Sequence, residues 1–288
     1  LKVALQVHPR RVTDSMLRRE VYPVLRERGF EWQLLPRIYQ GPVHVEPDAA
    51  FVLVIGGDGT FLSGARLAAR LQLPVLGVNV GRLGFLCNAE LSELPALLEA
   101  VKTDELPVDH RHVLHGRVVT EAGEEKLDRL AVNDIVVSRS RTEKIRDFHA
   151  RHGGRLIAHY RADGIILSSA LGSTAYTLSA GGPLVHPDLD AIVLTPICAH
   201  SLFTKPLVLP HDREVEIVGS PTSYPLSVTM DGILKRDMER GDRLLVSVSP
   251  HPLRVYRPPG YDFYAVLREK FQHGYLYGDE VPEDRPDA

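Results

Sequence analysis

The amino-acid sequence predicts an α/β N-terminal domain with a parallel sheet, an all-β C-terminal domain, and a C-terminal helix that returns to the first domain. Three observations carry this expectation. Up to about Leu106, strand-like and helix-like segments alternate; the strand segments are continuous apolar runs, as in a sheet covered on both faces; beyond Leu106, helical spacing nearly vanishes. A chain of 288 residues has room for about two domains of ~150 residues each.

The elements follow in order. LKVALQVHP, residues 1–9, is a first strand that stops at His8-Pro9. DSMLRREVYPVLRERG, residues 14–29, carries apolar residues at helical spacing, with Asp14 or Ser15 as N-cap and Gly29 as the stop. Residues 30–35 and 49–57 read as strands, 60–72 as a helix ended before Pro74, 74–81 as a strand and 90–106 as a helix. A hairpin is then expected around Ala122-Gly123, followed by short strands punctuated by Gly, Pro and Asp. YDFYAVLREKF, residues 261–271, is helical again. The expected division is therefore residues 1–106 with 260–274 as a discontinuous nucleotide-binding α/β domain, and 107–259 as a β-rich domain. Residues 275–288, rich in Gly, Pro, Asp and Glu, form a disordered or loosely attached tail.

Composition narrows the function classes. A net charge of −3 removes the general electrostatic case for nucleic acid or an anionic membrane. No apolar run approaches the ~20 residues needed to span a bilayer. The two cysteines, Cys87 and Cys198, lie in apolar stretches and read as reduced core residues, so the expectation is a soluble cytoplasmic protein.

The chemistry gathers first at Gly56-Gly57-Asp58-Gly59-Thr60, between a strand and a helix. A Walker loop is excluded because no Gly-Lys pair occurs in the chain. A dinucleotide fingerprint is excluded because Leu62 stands where the third glycine belongs after Gly57 and Gly59. What remains is a sharp turn whose glycines allow positive φ and close backbone approach, with the helix N-terminus and Thr60 as anion donors. The plainer reading is a structural turn with Asp58 capping the helix. A kinase needs both a phosphate cradle and a carboxylate facing the acceptor hydroxyl, and Asp58 between glycines supplies that second part.

Two further stretches suit a nucleoside. Arg161 to Pro183 holds Asp163-Gly164, the small cluster Gly172-Ser173-Thr174-Ala175-Tyr176, and Ser179-Ala180-Gly181-Gly182. Hydroxyls and amides there can read a base edge, and Tyr176 offers a ring to stack on. Asn133-Asp134 opens an apolar run; an Asn amide can bond an adenine edge and a carboxylate can accept from ribose hydroxyls. Taken singly, each keeps a plainer reading, as a polar turn with Tyr176 in the core or as an ordinary Asn-Asp turn.

Together, Gly-Gly-Asp-Gly-Thr, Asn79-Val80-Gly81-Arg82-Leu83-Gly84-Phe85, Asn133-Asp134, Gly172 to Tyr176 and GGPLVHPDLDAIVLTPICAHSL resemble the ordered motifs of NAD kinases, over roughly Val52 to Lys270. The resemblance implies phosphorylation of the 2′-hydroxyl of the adenosine ribose of NAD to give NADP, with ATP and a divalent metal such as Mg²⁺ as donor and inorganic polyphosphate as a further option. It implies Asp58 as the base, and Gly57, Gly59 and Thr60 around the transferred phosphate. It places Asn133 and Thr174 at the adenine, Asp134 at the ribose, Asp163 and Ala175 at the nicotinamide carboxamide, and Tyr176 and Ser179 lining that pocket. His200, in ICAHSL, falls in a stretch that lies near the nicotinamide in the family. A homodimer or homotetramer is implied, one subunit completing another's site. Three departures from the family pattern stand out: Asp134 stands for glutamate, Ser169-Ala170-Leu171 for Thr-Pro-Thr or Thr-Pro-Ser, and Ile233 for glutamine. The alternatives are a non-catalytic NAD or NADP sensor and a lipid kinase of the same Gly-Gly-Asp-Gly group.

His110, His112 and His115 do not read as metal ligands: on a strand His110 and His112 share a face while His115 falls on the other, and no cysteine or carboxylate completes a set. His186, beside Pro187-Asp188, reads as a loop-ordering residue.

Overall fold

The computed structural model describes residues 1–37, 43–81, 84–140, 145–200 and 205–270. Arg82, Leu83 and the expected tail at 275–288 lie outside the described residues. Three sheets organise the described residues. The first runs in the order Glu31–Leu34, Lys2–Val7, Ala49–Gly56, Val75–Asn79, Leu253–Tyr256, Val108–Arg111, with Ala89–Glu90 beside Val75–Asn79. Its ladders are parallel except for the last, where Val108–Arg111 runs antiparallel to Leu253–Tyr256.

The continuous apolar strands are buried on both faces, as their lack of alternation implies. Val3, Leu5, Phe51, Leu53, Ile55 and Leu76 share one core with Leu17, Val21, Leu25, Leu94 and Leu98 of the covering helices. Ala4, Val52, Val54 and Val75 face a second core with Phe61, Ala65 and Ala68 of the helix Asp58–Leu71. That second core also takes in Val113, Val132 and Leu253, with Leu130 and Leu171 packed against it, and so joins the α/β half to the β-rich half.

Several local expectations are corrected. Thr13, rather than Asp14 or Ser15, is the first N-cap, its hydroxyl accepting the Met16 N–H at 3.2 Å. The helix from Asp14 is interrupted by a π-helical stretch, Leu17–Val21, before Tyr22–Glu27. Pro23 lacks the N–H that a regular turn would use there. The helix expected at 60–72 begins at Asp58, with Gly57 as N-cap. The one expected at 90–106 is a 3-10 turn, Leu91–Glu93, followed by Leu94–Lys102. The first sheet also draws on 108–111 and 253–256, beyond the boundaries at 106 and 260, because those strands extend its ladder past Val75–Asn79.

The other two sheets are antiparallel and pack face to face. One orders Arg155–Ala162, Arg146–His152, Val215–Gly219, Arg243–Val248, Leu114–Val119, Glu125–Ala131, including the expected hairpin. The other orders Leu207–Pro210, Ala191–Ile197, Gly164–Ser168, Asp134–Arg139, Leu226–Met230, Leu234–Met238. Ile135, Val137, Ile165, Leu167, Ile192 and Leu194 of the third sheet meet Leu114, Val118, Phe148, Val215 and Ile217 of the second. Residues 263–270 are helical and follow the last strand of the first sheet. Phe263 and Tyr264 lie against His186, with ring centroids 5.0 and 5.4 Å away. Among the described residues no helix is long and apolar enough to cross a membrane.

Candidate active site

The Gly56–Thr60 turn departs from expectation in its mechanics. Gly56, Gly57 and Gly59 do not have positive φ; Gly57 is extended at φ −110° and ψ −171°. The Thr60 side chain is buried against Gly56, and its N–H donates to the Gly57 carbonyl at 2.9 Å. The Thr60 N–H is therefore already committed within the turn. Asp58 makes no side-chain cap; as the first helical residue it adds negative charge at the positive end of the helix.

The Asp58 carboxylate is instead held by a loop 27 to 29 residues away. Its Oδ2 accepts the Phe85 N–H at 2.9 Å, and its Oδ1 accepts Leu86 N–H at 3.0 Å and Cys87 N–H at 3.2 Å. Gly84 permits this approach, since a Cβ there would sit 1.9 Å from Asp58 Oδ1. A carboxylate offers about four lone-pair sites, so three acceptances leave one, on Oδ2. Beneath the loop, Cys87 is fully buried and burial pushes its thiol pKa up, which keeps it unreactive.

Asn133 and Asp134 are set by a residue the motif reading undervalued. Asp231, fully buried in its side chain, accepts N–H from Val132 at 3.0 Å, Asn133 at 2.8 Å and Asp134 at 3.2 Å. Arg66, from the helix that Asp58 begins, faces it at 3.6 Å. Burial raises the Asp231 pKa, against the pull of those N–H groups and of Arg66. The signal in the sequence was Asp-Gly before Ile233, a tight turn; nothing local told which backbone it would clamp.

On the other side, Gly172 lies so close that a Cβ would stand 2.0 Å from the Asn133 carbonyl oxygen. Ser169 Oγ donates to the Val132 carbonyl at 2.6 Å and accepts the Gly172 N–H at 3.1 Å, tying the two segments together. Asn133 Oδ1 is left buried with no hydrogen-bond partner. Asp134 is buried, and burial first, then the nearby Asp231 carboxylate, push its pKa up to about 7, with the Tyr176 N–H opposing.

Tyr176 is 45% exposed, which excludes the core reading; Ser179 is exposed and Thr174 Oγ1 donates to the Leu171 carbonyl at 3.2 Å. Ala175, with φ −99° and ψ −129°, links the two short helical turns Leu171–Thr174 and Tyr176–Ser179. Leu171, where the family pattern has a hydroxyl, lines a cavity of about 40 Å³ with Phe61, Phe85 and Leu86. Asn88, Asp109 and Arg111 line the same cavity, so its walls are mixed. Ile233 is exposed.

Asp163 and His200 lie elsewhere. Asp163 precedes the strand Gly164–Ser168, whose far end leads to the Leu171–Tyr176 turns; six extended residues at ~3.3 Å each put about 20 Å between Asp163 and Ser169. Asp163 pairs with Arg139 at 3.4 Å, and the exposed His200 donates its N–H to the Arg161 carbonyl at 2.8 Å. Cys198, expected in the core, is exposed at φ 47°, because the chain leaves the sheet after Ile197. His186 Nδ1 accepts the Asp188 N–H at 3.2 Å and so orders its loop.

Comparison with known proteins adds the family. The ATP-NAD kinase N-terminal domain profile matches residues 38–106 and the ATP-NAD kinase C-terminal domain profile residues 132–258. The NAD kinase of Heliobacterium modesticaldum is 41% identical over 223 residues, 77% of this chain and 78% of that protein. That of Methylibium petroleiphilum is 40% identical over 223 residues, 76% and 73% respectively. A yeast NADH kinase complexed with NADH superposes with TM-score 0.75 at 24% identity, covering 100% of this chain and 90% of that one. An Archaeoglobus fulgidus NAD kinase in complex with ATP gives TM-score 0.73 at 27% identity, covering 94% and 99%. With two domain profiles in order and relatives near 40% identity over three quarters of its length, this chain belongs to the NAD kinase family.

Proposed function

We propose that this chain phosphorylates the 2′-hydroxyl of the adenosine ribose of NAD with ATP, between the Asp58 turn and the Asn133–Tyr176 cluster. As a member of its family it is an NAD kinase, and the reaction yields NADP. The observation that carries the residue roles is the buried, unpartnered Asn133 Oδ1. A buried acceptor without a donor is costly, and the exocyclic amine of adenine supplies one in the geometry an Asn amide prefers.

Asp58 is the base, and its Oδ2 is the atom that takes the proton. Both Oδ1 acceptances and one at Oδ2 fix the carboxylate, so the remaining lone pair has one direction. Asp134 takes the ribose hydroxyls, with Thr174 at the base edge. Tyr176 offers an exposed ring at the cluster, with Ala175 and Ser179 beside it. Gly57 and Gly59 leave the helix N-terminus open to phosphate: an added Cβ at Gly59 would meet nothing within 4 Å.

Mg²⁺ would enter with the donor. Asp58 is the carboxylate at the turn and already accepts three N–H groups, so phosphate oxygens and water would hold the cation, which fits the waters Mg²⁺ retains. When bound, it supplies charge neutralisation on the triphosphate. Inorganic polyphosphate presents the same oxygens. Asp163 and His200, about 20 Å along the strand, would serve the nicotinamide end of a neighbouring copy's ligand, in a homodimer or homotetramer. The free thiols of Cys87 and Cys198 accord with a reducing, cytoplasmic setting.

The test is direct. Protein, NAD and Mg-ATP are incubated and NADP is quantified, with NAD binding measured separately by calorimetry. NADP formation is expected; NAD binding with no product would replace this reading with a sensor.

A further inference from the structure

Outside the active site, three potential ligands that sequence spacing kept apart come together. His112 sits in the link between Val108–Arg111 of the first sheet and Leu114–Val119 of the second. Asp190 immediately precedes Ala191–Ile197, and His211 immediately follows Leu207–Pro210. Ala191 pairs with Pro210, so Asp190 and His211 flank one end of a single ladder. One potential ligand atom from each of the three lies within 4.8 Å of the others. The expectation that His112 lacks a completing carboxylate is thus corrected by Asp190, 78 positions further along the chain.

We propose that His112, Asp190 and His211 form a Zn²⁺ site that clips the crossover between the two halves to the third sheet. Three details of the geometry support it. His112 Nδ1 is buried with no hydrogen-bond partner, although Asp190 Oδ1 is only 3.3 Å away. An ordinary His–Asp bond would satisfy that nitrogen; here a shared electrophile would. His211 Nδ1 is 3.2 Å from the Asp190 carbonyl oxygen. A carbonyl only accepts, so Nδ1 carries the proton and Nε2 keeps its lone pair, as in ligating histidines whose other nitrogen is anchored to backbone. The rings of His112 and His211 stand 5.2 Å apart, tilted by 55°, with no stacking to hold them.

The ligand chemistry selects the ion. Two imidazoles and one carboxylate are an N₂O set suited to Zn²⁺, with water in the fourth position, and are poor for Mg²⁺, which prefers oxygen. Bonds of ~2.1 Å in a tetrahedron put ligand atoms about 3.4 Å apart. The set must therefore close by up to about 1.4 Å from the 4.8 Å it spans, within reach of side-chain rotation at the half-exposed Asp190 and part-exposed His112. Neighbouring charge does not oppose the ion, since Arg111 is engaged by Asp109 and Asp188.

The experiment uses the full chain, stripped with chelator, desalted and titrated with Zn²⁺ alone, without nucleotide. Elemental analysis gives stoichiometry, a competing chromogenic chelator gives affinity, and Co²⁺ in place of Zn²⁺ reports the ligand field by visible absorption. About one Zn²⁺ per chain is expected. Outer-partner changes at zinc sites weaken binding 10–100-fold, so removing a ligand should weaken it at least about 100-fold in His112→Gln, His211→Gln and Asp190→Asn. Circular dichroism of each variant checks folding, and the exposed Asp190 makes Asp190→Asn the variant least able to unfold the chain. His159→Gln serves as control, because His149 and His159 form a second histidine pair with ring centroids 4.7 Å apart. Failure of the parent to retain Zn²⁺ overturns the proposal. So does affinity unchanged by the three ligand variants, or lost in His159→Gln instead.

Discussion

Replacing Asp58 by asparagine separates the two jobs assigned to that side chain. Asparagine keeps one oxygen. Placed toward Leu86 and Cys87, it retains two hydrogen bonds that have lost charge assistance, at roughly 1 kcal/mol each, and turns its NH₂ onto the Phe85 N–H. The unpaired donor adds about 1–3 kcal/mol, so the rigid limit is about 3–5 kcal/mol. Water reaching the partly exposed loop brings this to about 3 kcal/mol, or roughly 6–12 °C in Tm for a chain of this size. Loss of the base acts on rate as well as on stability: kcat should fall on the order of 10²–10⁴-fold, about 2.7–5.5 kcal/mol of barrier. Steady-state NADP formation at saturating NAD and Mg-ATP, well below the variant's Tm, reads the rate, and calorimetry reads NAD binding, which should persist. Turnover within about threefold of the parent would refute Asp58 as base. An unchanged Tm would refute its part in holding the 85–87 loop.

Three other substitutions probe the geometry around the nucleoside. Gly172→Ala puts a Cβ 2.0 Å from the Asn133 carbonyl oxygen; backbone must move, costing about 1–3 kcal/mol in thermal unfolding and raising KM for NAD at least about tenfold. Arg66→Met removes the cation facing the buried Asp231 and should destabilise by about 1–2 kcal/mol. That loss should shrink at acid pH, where Asp231 is neutral, as a pH series of denaturant melts would show. Asp134 has its folded pKa raised to about 7, so the folded chain keeps a proton that the unfolded chain has released. Its contribution to stability is fully present below about pH 4 and is lost as pH rises to about 7. Three pKa units at 1.36 kcal/mol set a ceiling of about 4 kcal/mol. Asp134→Asn should flatten that slope in the same melts, and a slope unchanged by the substitution would contradict the shift.

The legible part of the fold lies where neighbours in sequence are neighbours in space. Ala49–Gly56 and Val75–Asn79 are continuous apolar runs because the sheet is covered on both faces, and that pattern is visible without coordinates. The interrupted first helix was not legible to the same depth, since Pro23 is compatible with a helix start and only the surrounding geometry shows where the ladder breaks. Thr13, Asp14 and Ser15 are comparably good capping types, so residue type alone does not single out Thr13 as the cap. At the proposed site, Asp58, Asn133, Asp134 and Tyr176 were legible as candidates from type and spacing. Asp231, Arg66 and Ser169 were not, since each acts on backbone or charge far along the chain.

Residue order alone determined the alternation of elements, the change of texture after Leu106 and the motif series of the family, because these are encoded in local spacing and side-chain type. Tertiary structure decided what each polar group faces. Asp58 meets amides 27 to 29 positions away, Asp231 clamps backbone 97 to 99 positions away, and Asp163 stands at the far end of a strand from Tyr176. Those pairings are set by sheet register and by packing between layers, which bring together residues whose separation in sequence carries no periodic signal.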